Sequence, residues 1–334
     1  MISTVPPELA ERTLALCHFR DVAAFAQTCR RAYALVYRSA DQFLWRTLFL
    51  SFPFDDPRLA VANGDGPPGG GLQLQSPHLM NTKTKDKNNK VDWRTKLQRR
   101  VRAERIARRD GDRREVVGVL LECIREAAAP RGTCTITARG RPPSHNLSWV
   151  TKVLTLEESP WIERYLRLEQ LESPSLIHDL FSDIEKLRAH LALSLDRGAG
   201  AEAPEKLRVL RRVSRAHVYD LRNYARDAHW GPFTDAGEHV NWSHVNAIVT
   251  VITMNLRDFG VHWPKDFKPQ AMVQGLEACR PYSAPGSLKR SPHDWAGVEG
   301  QWMRIVCFCD YRYVSMPPYF LHKINIWVAR NEVT

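Results

Sequence analysis

The sequence predicts an α+β protein, mainly helical: a small N-terminal three-helix unit, a linker, and a larger helical region ending in a small β-sheet. Three observations carry this expectation. Apolar residues recur at spacings of three and four near the N-terminus and again through residues 176–257, the period of helices with one buried face. Between them, residues 58–90 hold Asp65-Gly-Pro-Pro-Gly-Gly-Gly71 and a Lys/Asn run from Asn81 to Lys90, with almost nothing to bury. Residues 301–311 and 323–329 are instead rich in β-branched and aromatic side chains, and Ile324, Ile326 and Val328 recur at alternate positions with Asn325 between the first two.

The first helix is set by Pro6 and Pro7, which fix φ, and by Glu8, an acid in the first turn facing the positive end of the helix dipole. Leu9, Thr13, Leu16 and Cys17 form its stripe. His18, Phe19, Arg20 and Asp21 make a short connection in which Asp21 is the N-cap of a second helix. That helix carries Val22, Phe25, Ala26, Cys29, Tyr33 and Val36 on one side. After a polar break at Ser39–Gln42, Leu44, Trp45 and Leu48 supply a third apolar patch. A unit of about 40–60 residues buries too little surface to be comfortable alone, so it calls for a partner or for the rest of its own chain.

Residues 58–90 read as a flexible linker. Residues 91–114 then read as an intensely basic helix, with Arg94, Lys96, Arg99, Arg100, Arg102, Arg105, Arg108, Arg109, Arg113 and Arg114 around an apolar row of Trp93, Leu97 and Val101. Three readings of that charge stay open: a nuclear-import or nucleic-acid patch, the solvated face of a helix linking two regions, and a surface for an acidic partner. The region 115–334 begins with a helix at Val116–Arg125. Short strands are expected at Thr133–Thr137 and Val150–Leu156, on either side of the Pro142-Pro143 turn. Ser173-Pro174 opens a helix with a stripe of Leu176, Leu180, Ile184, Leu187 and Leu191. A helix from about Pro204 to Asp227 carries Leu210, Val213, His217, Leu221 and Tyr224 on one side. Another, from about Asn241 to Arg257, carries Trp242, Val245, Val249, Ile252 and Leu256, widened by Ile248 and Val251 as in a buried helix. A closing sheet, a hairpin or similar, is expected from the two β-rich segments.

The order at the N-terminus, Pro6-Pro-Glu8, apolar stripe, Cys29-Arg-Arg31 and closing Leu44-Trp-Arg-Thr-Leu48, resembles an F-box. Tyr219-Asp-Leu-Arg-Asn-Tyr224 and Asp294-Trp-Ala-Gly-Val-Glu-Gly-Gln-Trp302 resemble segments of a large family of mushroom-type fungal F-box proteins. The resemblance implies that residues 1–57 bind the small adaptor of the SCF (cullin–RING) ubiquitin ligase through Pro6, Glu8, Leu9, Leu16, Val22, Phe25, Cys29, Leu44 and Trp45. The remainder would hold an unknown protein substrate, with Trp295 and Trp302 as candidate docking residues if they are exposed, or core residues if they are not. The chain departs from the family pattern at Thr13 and Cys17, where bulkier aliphatics are usual, and at Ala32, where a Trp is common. Each change shrinks apolar contact.

Length and composition agree with a soluble adaptor carrying a second, larger region. The chain has 334 residues, 43% hydrophobic and 25% charged, with a formal net charge of +11. No stretch approaches the roughly 18 apolar residues of a membrane helix, and Glu8, Glu11 and Arg12 interrupt any signal-peptide pattern. The expectation is a cytoplasmic or nuclear protein whose 7 cysteines are thiols. The sequons at Asn146 and Asn241 then read as chance matches. No cofactor or metal is expected. His178-Asp179 and His293-Asp294 are merely sequence neighbours, His217 falls in an apolar stripe, and His239 and His244 miss the HExxH spacing. Cys307 and Cys309 lack a second ligand pair, and Gly69-Gly-Gly71 lacks the lysine of a phosphate loop.

Overall fold

The computed structural model describes residues 5–39, 41–52, 54–58, 91–109, 112–127, 144–155, 178–193, 203–234, 239–260, 275–277, 304–305 and 326–327. Residues 59–90, Thr133–Thr137, the Pro142-Pro143 turn, Ser173-Pro174, Trp295 and Trp302 lie outside them. The described residues hold ten α-helices, one 3-10 turn and two short strand pairs. The chain divides into two units, residues 1–200 with 270–288, and residues 201–269 with 289–334. The division near residue 200 is one that the sequence reading did not place.

The N-terminal unit begins with four helices where three were expected: α1 (Pro7–Leu14), α2 (Phe19–Ala26), α3 (Arg30–Tyr37) and α4 (Phe43–Ser51). Pro7 occupies the first turn of α1, where its missing N–H costs nothing. The cap of α2 is His18 and not Asp21: the His18 ring accepts from the Arg20 N–H at 3.3 Å, which starts the helix earlier and leaves Asp21 in its first turn. The expected second helix breaks at Gln27–Cys29 because the Cys29 Sγ accepts from the Ala32 N–H at 3.4 Å and caps α3 afresh.

Next in the chain come α5 (Trp93–Ala107) and α6 (Arg113–Arg125). The single basic helix expected over 91–114 thus ends at Ala107, and Arg113 and Arg114 belong to α6. Asp92 and Asp112 cap the two N-termini by accepting backbone N–H groups. Helix α7 (His145–Leu154) replaces the strand expected at Val150–Leu156. Ser144 caps it, accepting from the Leu147 N–H at 3.1 Å, and the Asp55 carboxylate accepts from the His145 N–H at 3.0 Å. Leu147, Val150 and Leu154 are buried at helical spacing, so packing overrides the strand preference of the β-branched residues.

One continuous core runs from Leu14 through Val22, Leu44, Phe49, Leu97, Leu120, Val150 and Leu187 to Leu276. Phe49 packs edge-on to Trp93 at 5.3 Å and Phe54 edge-on to Trp149 at 5.6 Å, so α4 and its exit segment are built into the α5–α7 layer. Helix α8 (His178–Leu191) adds Ile184, Leu187 and Leu191, as its stripe foretold. Asn146 is fully buried, which closes that sequon to modification.

In the second unit α9 (Ala203–Val218) packs on α10 (Trp242–Gly260). The expected α9 continues only as a 3-10 turn, Leu221–Tyr224, after Asp220 caps it, and Val213 and Leu221 are exposed. The buried stripe of α10 runs through His244, Ala247, Val251 and Met254, while Ile252 is exposed. The stripe is displaced from the one read off the bulkiest residues: it takes in His244, Ala247 and Thr250, which a count of large apolar side chains passes over. Strands β1 (Phe233–Thr234) and β2 (His239–Val240) form an unforeseen antiparallel pair, and β3 (Arg304–Ile305) pairs antiparallel with β4 (Ile326–Trp327) inside the two β-rich segments.

Candidate protein-binding face

The residues that the F-box resemblance singles out separate into two sets. Pro6, Glu8, Leu9, Leu16 and Cys29 are exposed, and Phe25 is half-buried. Val22, Leu44 and Trp45 are buried at 0%, 2% and 7% exposure, so their side chains are structural and not available for contact. The Trp45 indole N–H donates to the Val36 carbonyl at 2.9 Å and its ring lies 5.7 Å from that of Tyr37, which ties α4 to α3. These buried groups hold the exposed ones in place.

What they hold out is apolar. Leu9 is 55% exposed and Leu16 89%, with Val5 at 42% and Tyr33 at 47%. Covering one such leucine completely is worth about 1.5–3 kcal/mol, so Leu16 retains nearly all of that gain for a partner. Thr13 and Cys17 lie on the same exposed helix and turn, and each turns its polar atom inward: the Thr13 hydroxyl donates to the Leu9 carbonyl at 2.8 Å and the Cys17 thiol to the Thr13 carbonyl at 3.4 Å. Ala32, by contrast, is fully buried, and a Trp there would have to displace its neighbours. The small residue at 32 serves packing between helices, whereas those at 13 and 17 thin the exposed face.

Helix α5 is less of a free cationic surface than its sequence suggests. Lys96 pairs with Glu122 at 2.7 Å and also with Glu126, Arg99 pairs with Glu122 at 2.6 Å, and Arg102 with Glu115 at 3.0 Å, all across to α6 and its C-cap. Burial pushes the Glu122 carboxyl up, but Lys96, Arg99 and Arg100 outweigh it and hold it below the usual carboxylate range. Arg100 is only 2% exposed. Its guanidinium donates to Glu126 at 3.0 Å and to the Asn146 side-chain oxygen at 3.1 Å, and it lies over the rings of Phe49 (4.7 Å) and Phe54 (4.5 Å). Sequence reasoning missed this residue. The signal was there: Trp93, Leu97, Arg100, Ala103 and Ala107 are the buried row, at spacings of four and three.

Of the groups considered for catalysis, His293-Asp294, Cys307 and Cys309 lie outside the described residues. His217 stacks on His244 with centroids 5.1 Å apart, and the Tyr224 hydroxyl lies 3.2 Å from the His244 ring nitrogen. Burial, with His217 alongside, lowers the His244 pKa, as befits a neutral imidazole packed between α9 and α10. Cys123 is fully buried and burial pushes its thiol up to about 12, which makes it inert. Among the described residues no three His, Cys, Asp or Glu side chains gather as a metal site, and no helix is long and apolar enough to cross a membrane. Comparison with protein-family models, with curated proteins and with solved structures finds no match.

Proposed function

We propose that this chain is a substrate-receptor subunit of an SCF-type ubiquitin ligase, binding the small adaptor, and through it the cullin–RING scaffold, with the face around α1. The regions beyond would hold a protein substrate. The observation that carries the reading is the exposure of Leu9 on α1, Tyr33 on α3, and Val5 and Leu16 on either side of α1, while the core beneath is already filled by Val22, Ala26, Ala32, Val36 and Leu44. Apolar side chains left out in this way gain only when another protein covers them. The work done is proximity: a target held near the ligase's activated ubiquitin meets it at a high effective concentration, and no reactive group on this chain is required.

Capture of the full chain by recombinant adaptor tests the proposal. Leu9→Asp with Leu16→Asp is expected to abolish capture while the far-UV circular dichroism stays unchanged, because both side chains face solvent. Because apolar burial drives the contact, raising the salt concentration should leave wild-type capture nearly intact. Capture that survives the double substitution would sink the reading. Trp45→Ala is unsuitable as a test, since that indole belongs to the core.

A further inference from the structure

A groove of about 940 Å3 in the first unit runs between α2 and α5, with Leu97, Val101, Phe19 and Phe52 on its apolar side. Around them stand six cations, Arg20, Arg102, Arg105, Arg108, Arg109 and Lys152, against the single carboxylate of Glu104. That carboxylate is fully engaged: Arg108 approaches it at 3.0 Å, Lys152 at 3.4 Å, and the Trp149 indole donates to it at 3.3 Å. Burial pushes the Glu104 carboxyl up, but these partners outweigh it and the acid is held ionised, below its usual range. Arg102 is paired with Glu115. Arg20, Arg105 and Arg109 are exposed, and among the described residues none of the three has a carboxylate partner.

Arg102, Arg105 and Arg109 recur at spacings of three and four, so they fall on one side of α5 and its end, over about 10 Å at 1.5 Å per residue. Three unneutralised guanidiniums beside an apolar strip define what would fit. We infer that this groove is a docking site for an acidic peptide, one that sets carboxylates against Arg20, Arg105 and Arg109 and lays a bulky apolar side chain along the half-buried Val101, Phe19 and Phe52. A guanidinium holds a carboxylate through two parallel N–H donors, which gives the contact direction as well as strength. A polynucleotide fits less well, because its backbone would leave the apolar strip uncovered. The site is separate from the adaptor face: Val5, Leu9, Leu16 and Tyr33 do not line it, so the inference does not rest on the ligase reading.

The experiment is fluorescence anisotropy of the full chain with a short labelled peptide carrying glutamates at three- and four-residue intervals around a central Leu-Phe pair. Saturable binding is expected. It should weaken at least about tenfold when the glutamates become glutamines, when Leu-Phe becomes Ser-Ser, or when the protein carries Arg105→Glu with Arg109→Glu. Arg20→Glu, on a different helix, should weaken it as well. All three arginines are exposed and, among the described residues, make no ion pair, so the melting temperature and adaptor capture should stay at wild-type values. Equal affinity for the glutamate and glutamine peptides, or wild-type affinity in both charge-reversal variants, would overturn the inference. So would a single-stranded oligonucleotide that binds more tightly than the peptide and displaces it.

Discussion

Arg100 carries a charge that the fold has removed from water and then surrounded. Glu126 and Asn146 satisfy its N–H groups while Phe49 and Phe54 face its plane. Removing one partner of such a pair is costly because the other is left buried and unmatched. Arg100→Ala should therefore lower stability by about 3–5 kcal/mol in urea denaturation, and Arg100→Met should lose less, because it refills the aromatic slot without leaving a void. A loss below about 1 kcal/mol for the alanine variant would mean that the guanidinium is not what binds these elements. At this scale the sequence misled by residue type. Arginine is rarely buried, so Arg100 was counted with the other cations around the apolar row, although its spacing put it inside. Val22, Leu44 and Trp45 misled in the opposite sense, since motif membership says that a side chain matters and not whether it faces a partner or the core.

Between elements, α5 and α6 are joined by alternating charges that no single-helix reading can pair. Lys96 and Arg99 each reach Glu122 on the neighbouring helix. Because Glu122 has a depressed pKa in the fold, it adds stability above its unfolded value near 4.5, and that contribution is lost as pH falls through the lower folded value. Glu122→Gln should thus cost about 1–3 kcal/mol at neutral pH, with the gap from wild type closing once the pH drops below the folded value. A gap independent of pH would argue that the substitution acts through packing. Helices with a strong apolar period were legible: α6, α8 and α10 emerge from spacing alone, as does α9 up to its end at Val218. Helix α7 was not, because what decides it is a carboxylate, Asp55, from a distant part of the chain. The true stripe of α10 was likewise hidden, since His244, Ala247 and Thr250 belong to it and none is a large apolar residue.

For the whole molecule, the four-helix start cannot be separated from the helices beyond it in the first unit. Phe49 and Phe54 are completed by Trp93 and Trp149, so residues 1–57 alone should show little of the helicity and hydrogen-exchange protection that the same residues have in the full chain. Full protection in that fragment would show instead that the first four helices stand by themselves. The fold class was readable as mainly helical with a β-rich end, and the strand pair Arg304–Ile305 with Ile326–Trp327 falls where that reading put it. The division near residue 200 was not readable, because a stretch with nothing to bury looks like a domain boundary even when the segments on either side share a core. The tie between Asp55 and Asn146 spans 91 residues of chain. On a ribosome adding about 5–20 residues per second, roughly 5–20 s separate the emergence of Asp55 from that of the helix whose N-terminus it caps. For that interval the growing chain must carry Phe54 without the ring of Trp149 that later packs against it.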